Sequence, residues 1–341
     1  MASPRTLTGE TVQLGPFTLP RLWNGLWQLS SNAWGSAPSS KVRRQMSVYA
    51  KQGYIAFADH YGSSEILFGQ FRKTLSPPEF AFGATKWCVF RTTNPTRQSV
   101  QAAVQERLNR MQCETIDLLQ FHWQDYNDRG YITALHHLRD LQVAGKITTL
   151  GLCNFDAIRT DEICTELGPG AVVSNQVQFS LIDTRPLHGM ADVCRKHNVK
   201  LLTYGTLCGG FLSDRWLNQP QPDSYAGDLT PSQRKYLDMI VKAWGDWTLF
   251  QELLTSLRAI GDRHGGISIA NVATRWVLDH PFVGAVIIGA RLGISDHTDD
   301  NKKVSDLRLT QEDFDAVELV LQRSNGPHLI MTIGDCGAEY R

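Results

Sequence analysis

Eight short apolar runs of strand length, each separated from the next by a segment with helical period, do most to limit the folds open to this chain. They fall at residues 22–26, 54–58, 80–84, 116–121, 147–152, 172–177, 199–204 and 285–288. Apolar residues at helix spacing lie between them, as in Val100, Val104, Leu108 and Met111, with Asn94 the expected N-cap and Pro95 the first helical residue. Another such set, Ile132, Leu135, Leu138 and Leu141, stops at Gly145. Apolar runs without polar alternation are strands buried on both faces, and strands that alternate with helices form parallel sheets through crossover connections. Eight such units close into a ring, so the expected fold is α/β, a (β/α)8 TIM barrel forming a single domain over residues 1–341. An open doubly wound sheet is the alternative. It is disfavoured because no G-x-G-x-x-G follows the first run and because candidate polar groups come from many strand ends.

Three additions to the barrel are expected. An N-terminal hairpin occupies the first twenty residues, and a tail over 326–341 crosses the barrel. Residues 206–247 form a long loop after strand seven, beginning TLCGGFL and holding a helix near 233–243. Long insertions on the active face of a barrel are usually functional, so this one reads as a cover for cofactor or substrate, with a solvated loop as the alternative. Helices at 249–260, 269–278 and 311–321 complete the outer layer.

Charge and cysteine content exclude several function classes. Lys plus Arg and Asp plus Glu both number 34, so no net field favours nucleic acid or an anionic membrane. The seven cysteines, at 88, 113, 153, 164, 194, 208 and 336, include no C-x-x-C pair, which points to reduced thiols and no metal site. The opening MASPRTLTGETVQLG lacks an apolar signal-type stretch, and no run approaches the roughly 18 apolar residues that cross a bilayer. The expectation is a soluble, cytoplasmic protein.

Polar residues gather at or just after the strand ends: Asp59, His60 and Tyr61; Lys86; His122; Asn154; Asn175 and Gln176; Tyr204; and Arg291. Barrel enzymes carry their sites at this end. A phenol, an ammonium and an imidazole from successive strands, Tyr61, Lys86 and His122, suit proton transfer to a carbonyl, whose oxygen gains negative charge as hydride adds. A phenol with a pKa near ~10 is a poor acid at neutral pH, and a neighbouring ammonium lowers that value. Trp27, Trp87 and Trp123 stand near strand ends, either as walls of an apolar substrate pocket or as core aromatics.

The blocks GYIAFADHYGSSEILFGQF, FGATK, IDLLQFHWQD, GLCNF, NQVQFSLID and VIIGARLGISDHTDDN, in that order, resemble the aldo-keto reductase superfamily over almost the whole chain. The chain looks like a fungal-type or related long-loop member. The resemblance implies an NADP(H)-dependent barrel that interconverts carbonyls and alcohols without a metal, with a small-molecule carbonyl or alcohol as substrate. It implies Tyr61 as general acid, Lys86 as the cation that acidifies it, and His122 as the donor that orients the carbonyl oxygen. Asn154 and Gln176 would hold the nicotinamide carboxamide, Tyr204 would stack on its ring, and Gly205, Leu207 and Gly289 would line the cofactor. Arg291 and Asn301 would meet the 2′-phosphate and adenine, with Ser295, His297 and Asp300 in the same segment.

Two departures from the family pattern stand out. Cys153 replaces a common serine. In the second strand the family reads roughly F-D-x-A-D-x-Y-G, and here Ala56 aligns with the carboxylate that pairs with the active-site lysine, while Asp59 matches the second Asp. A buried lysine without its counter-charge loses proton affinity, so reduction is expected to weaken unless Asp59, counted with the catalytic candidates, substitutes. The alternative functions are a redox-neutral isomerase, dehydratase or cyclase on the same scaffold, and an NADP(H)-sensing regulatory subunit.

Overall fold

The computed structural model describes residues 9–341 except 59, 78, 92, 226 and 228, so Asp59 lies outside the described residues. Strands β1 (Thr11–Leu14) and β2 (Phe17–Pro20) form the expected antiparallel hairpin, with Leu14 opposite Phe17. The barrel strands are β3 (Leu22–Gly25), β4 (Ala56–Ala58), β5 (Phe82–Val89), β6 (Ile116–Trp123), β7 (Ile147–Cys153), β8 (Val172–Gln178), β9 (Lys200–Tyr204) and β10 (Val283–Gly289). They close in parallel in the order β10-β3-β4-β5-β6-β7-β8-β9, giving the (β/α)8 TIM barrel. Each expected run overlaps one barrel strand. The signal was strong because strands such as β6 are buried at every position.

Inward side chains, among them Trp23, Ala56, Ala58, Phe82, Ala84, Leu118, Leu202 and Ala285, form one apolar cluster with Val12, Leu14 and Leu19 of the hairpin. The hairpin therefore plugs the end where the strands begin. Outward side chains meet the helices, as where Phe57 packs on Phe68 and Phe71 at ring separations of 5.7 and 5.5 Å. Arg21 stitches the closing seam: its guanidinium donates to the carbonyls of Leu278 (2.6 Å), Val283 (2.8 Å) and Gly284 (3.1 Å), and to Glu10 (3.1 Å).

One helix start differs from expectation. The helix Arg97–Met111 is capped by Thr96, whose Oγ accepts from the Ser99 amide at 3.2 Å, two residues beyond the expected Asn94 cap. Thr96 prevails because its hydroxyl stands three residues before that amide, the reach an N-cap requires.

The insertion is packed from Leu229 onward, whereas residues 218–225 are mostly exposed. Its helix Pro231–Asp238 opens with a Thr230/Gln233 capping box and runs into a π-helical turn, Met239–Trp244. Leu229, Tyr236, Leu237, Ile240 and Trp244 are buried, and large apolar side chains contribute about 1.5–3 kcal/mol each when fully buried. The tail continues through Gly326–His328 and Leu329–Ile333 to Ala338–Tyr340. It crosses the end where the strands finish.

Candidate active site

Alternation along the strands decides which side chains enter the barrel mouth. Phe82 and Ala84 face inward, and so does Lys86; Trp87, one residue on, packs outward on Phe121 at 5.2 Å. His122 follows Leu118 inward, whereas Trp123 packs outward near Tyr131 and donates Nε1–H to the carbonyls of Asp125 (2.7 Å) and Asp128 (3.0 Å). Trp87 and Trp123 are thus core residues between barrel and helices, and the expectation that they wall the pocket is corrected. Trp27 does stand at the mouth, 6.4 Å from the Tyr61 ring and 4.9 Å from Trp34. Phe90, 61% exposed and 5.6 Å from the His122 ring, is a wall residue the sequence reading missed.

Tyr61, Lys86 and His122 lie near one another at this end of the barrel. The Lys86 ammonium lies 5.1 Å from the centre of the Tyr61 ring, and the centres of the His60 and Tyr61 rings are 4.4 Å apart. Burial, then the positive charge of Lys86 and Arg107, pushes the His60 pKa down to about 3. Burial also lowers the His122 pKa, with Lys86 and Arg341 adding to the effect and a 3.0 Å contact from Nδ1 to the Cys153 carbonyl opposing it. A carbonyl can only accept, so Nδ1 carries the hydrogen and the neutral ring presents Nε2 as an acceptor. Neutral His122 can therefore accept a hydrogen bond at Nε2 and can donate one there only as imidazolium, which refines the expected donor role.

The strand-two departure takes a different form in space. Ala56 pairs with Phe82, and Lys86 lies four residues further along β5, about 13 Å at ~3.3 Å per residue. Position 56 thus belongs to the apolar layer of Trp23 and Phe82. The chain presents a methyl group there and supplies no carboxylate from that position.

Another carboxylate, unnoticed in the sequence, organises this side. Buried Glu65 accepts from Thr85 Oγ1 and Arg110 Nε; Arg110 also donates to the Gly62 carbonyl at 2.5 Å, and Arg107 to the Lys86 carbonyl at 2.7 Å. These bonds tie the Tyr61 loop to the strand that carries Lys86. Its one signal was an acid placed in the apolar helical segment SEILFGQF.

On the opposite side, Asn154 follows β7 in a left-handed conformation, φ 60°, and its amide donates to the Gln176 carbonyl at 2.9 Å. Tyr204 ends β9 and donates from its hydroxyl to Asn154 Oδ1 at 2.9 Å. Gln176 is buried, and its Nε2 has no hydrogen-bond partner among the described residues. An orphaned amide donor, a second amide beside it and a tyrosine together fit a nicotinamide and its carboxamide.

The insertion and the tail complete this side with residues that the sequence reading did not single out. Lys235 Nζ donates to Tyr340 Oη at 2.6 Å and lies 5.1–5.6 Å from the ring centres of Tyr204, Tyr236 and Tyr340. The Tyr340 and Tyr204 hydroxyls are 3.2 Å apart, and the Tyr340 ring stands 6.3 Å from His122, nearly perpendicular to it. Arg341 donates to the Asn154 carbonyl at 3.1 Å. Gly337, φ +75°, passes so close that a Cβ there would fall 2.1 Å from that same carbonyl oxygen. The anchor is Arg185, 1% exposed, whose guanidinium bonds both Asp183 oxygens (2.9 and 2.7 Å) and both Glu339 oxygens (2.9 and 3.0 Å).

The remaining cofactor candidates divide. Gly205, φ +73°, leaves room for the Tyr236 hydroxyl, which would lie 2.2 Å from a Cβ, and Leu207 packs against the main core. Gly289 pairs with Gly25 and is crowded by the Gln28 amide. Arg291 and His297 are exposed, Ser295 and Asn301 half-buried. Asp300 departs from the expected role: its carboxylate accepts from Ser268 Oγ (2.7 Å), Asn271 Nδ2 (3.2 Å) and Lys303 (3.0 Å), so it fastens its segment to the helix Ile269–Leu278. A cavity of about 330 Å³ lined by Arg72, Cys113 and Asp117 lies at the start of β6, away from these groups.

Residues 21–322 match the model of the aldo/keto reductase family. Aldo-keto reductase YhdN of Bacillus subtilis is 25% identical over 283 residues, covering 80% of this chain and 81% of that protein. Protein tas of Escherichia coli is 26% identical over 245 residues, covering 66% and 67%. Among solved structures, a glycerol dehydrogenase from Gluconobacter oxydans superposes with a TM-score of 0.74 at 25% identity over 92% of this chain and 95% of its own. An aldo-keto reductase from Bacillus halodurans in its holo form gives 0.69 at 22% identity over 92% and 96%.

Proposed function

The chain belongs to the aldo/keto reductase family, whose members are oxidoreductases that act on carbonyls with NAD(P)H, and from that premise we propose that it reduces an aldehyde or ketone of a small organic molecule with NADPH. The observation that carries this reading is the meeting of Tyr61, Lys86 and His122 with Asn154, Gln176 and Tyr204 at one end of the barrel. When bound, the nicotinamide supplies or accepts hydride. Tyr61 gives its phenolic proton to the oxygen that gains charge, and the Lys86 ammonium stabilises the phenolate left behind. Neutral His122 accepts from the hydroxyl of an alcohol, so it suits the alcohol state of the substrate. Gln176 Nε2 and the Asn154 amide hold the carboxamide. Exposed Arg291 supports NADP over NAD, because a guanidinium suits a phosphate. Seven free cysteines support a reducing, cytoplasmic setting.

Titration with NADPH and NADH, followed by single-turnover reduction of a panel of aldehydes and ketones, tests the proposal. Tighter NADPH binding that Arg291→Ala weakens, together with loss of NADPH absorbance on adding a carbonyl, is the expected result. A second reading is favoured by the His122 tautomer: an acceptor Nε2 beside a phenol also suits redox-neutral proton transfer. Conversion of substrate at constant NADPH absorbance, with product mass unchanged or differing by water alone, would select it.

A further inference from the structure

Four groups form an unbroken line of hydrogen bonds from the insertion to the cofactor side of the mouth. Lys235 Nζ is 2.6 Å from Tyr340 Oη, which is 3.2 Å from Tyr204 Oη, which is 2.9 Å from Asn154 Oδ1. We propose that Lys235 and Tyr340 are positioning residues that fix the orientation of the Asn154 side-chain amide through Tyr204. The proposal rests on the nicotinamide reading of Asn154 and Gln176 given above.

Tyr204 has one hydrogen, and when Asn154 Oδ1 receives it the 3.2 Å contact is closed by the hydrogen of Tyr340. An ammonium donates and cannot accept, so the Tyr340 oxygen is the acceptor there. Tyr340 then has one hydrogen to give and Tyr204 is its neighbour; Tyr204 passes its own to Asn154. In this arrangement each hydroxyl donates once and accepts once. At the far end the amide oxygen is held, and Nδ2 is turned to the free side, where it makes no hydrogen bond among the described residues.

The backbone of Asn154 cannot adjust in compensation. Its N–H is bonded to the Gln176 carbonyl at 2.9 Å and its C=O receives Arg341 at 3.1 Å, so amide orientation is the freedom that remains. With Nδ2 outward, Asn154 and the orphaned Gln176 Nε2 offer two N–H donors to one acceptor, which suits the carbonyl oxygen of a carboxamide. Without the ammonium the row can invert. Asn154 would then present oxygen toward an oxygen.

The test uses the full chain with Tyr340→Phe, Lys235→Met and Lys235→Arg. The dissociation constants of NADPH and of 2′,5′-ADP, a fragment without nicotinamide, are read by tryptophan fluorescence. Loss of one oriented hydrogen bond predicts NADPH binding weaker by about fivefold to tenfold in Tyr340→Phe and Lys235→Met, with 2′,5′-ADP changed by less than about twofold. Lys235→Arg, which keeps a donor, is expected to recover much of the loss. Unchanged NADPH affinity, equal weakening of both ligands, or tighter NADPH binding would each overturn the proposal, the last by making Tyr340 an obstruction. Should Lys235→Met fail to fold, Tyr340→Phe decides alone, since it retains the ring. Failure of the parent chain to bind NADPH or NADH would instead remove the cofactor reading, and the proposal with it.

Discussion

The two sides of the mouth hold the same kinds of group and are built in opposite ways. On one side Lys86 and His122 project from β5 and β6 and Tyr61 from the loop just after β4, and the ties that hold them, such as Glu65 to Thr85, link neighbouring elements. On the other, Asn154 and Tyr204 are completed from far along the chain: Tyr204 meets Tyr340 across 136 positions, and Lys235 meets it across 105. Each side joins a tyrosine to a lysine, yet one pair comes from a strand and the short loop after its neighbouring strand and the other depends on two irregular segments that meet over the barrel. On the function proposed above, the chemistry falls to the regular side and the fit of what binds to the irregular one.

That contrast can be broken most sharply at Tyr61. Tyr61→Phe is expected to slow carbonyl reduction by about 10²- to 10⁴-fold with NADPH affinity nearly intact, read by single-turnover absorbance. A large loss of affinity would show that the regular side also holds the cofactor. Next in size, Glu65→Ala strands the Arg110 guanidinium and the Thr85 hydroxyl and is expected to cost about 2–3 kcal/mol in chemical denaturation. Glu339→Gln, on the irregular side, leaves Arg185 with both oxygens of Asp183 and is expected to cost only about 1 kcal/mol. A larger loss at Glu339 than at Glu65 would reverse the contrast.

The smallest effect concerns pH. The folded His60 pKa of about 3 lies below the ordinary 6.5, so between these values the unfolded chain binds more protons and stability falls as pH drops. One such group sets an upper slope of about 1.4 kcal/mol per pH unit, and the partial exposure of His60 reduces it. Denaturation at pH 7 and pH 5 is expected to show a shallower decline in His60→Gln. Identical declines would mean that the ring is solvated in the folded state.

These differences explain what could be read from the sequence. All eight barrel strands were legible because each carries an apolar run and is buried on both faces, and the family blocks coincide with the strand ends. Trp87 and Trp123 were misplaced because adjacency to Lys86 and His122 was taken for shared direction, although neighbours on a strand point apart. Lys235, Tyr340 and Arg341 gave no signal, since their partners are fixed by the course of irregular chain and not by any local period. Glu65 gave a weak one, an acid on a face that packs against the barrel.

Arg21 has a consequence for synthesis. Its guanidinium holds the plug end of β3 against carbonyls 257 to 263 residues later. A chain emerging from the ribosome carries Val12, Leu14 and Leu19 long before β10 exists to complete their surroundings. Sealing of the seam is thus a late, long-range step, and contacts so distant in sequence slow folding. In the strand order β3 and β9 each need β10 as a neighbour, so the two edges they form can pair only once residues 283–289 have been made.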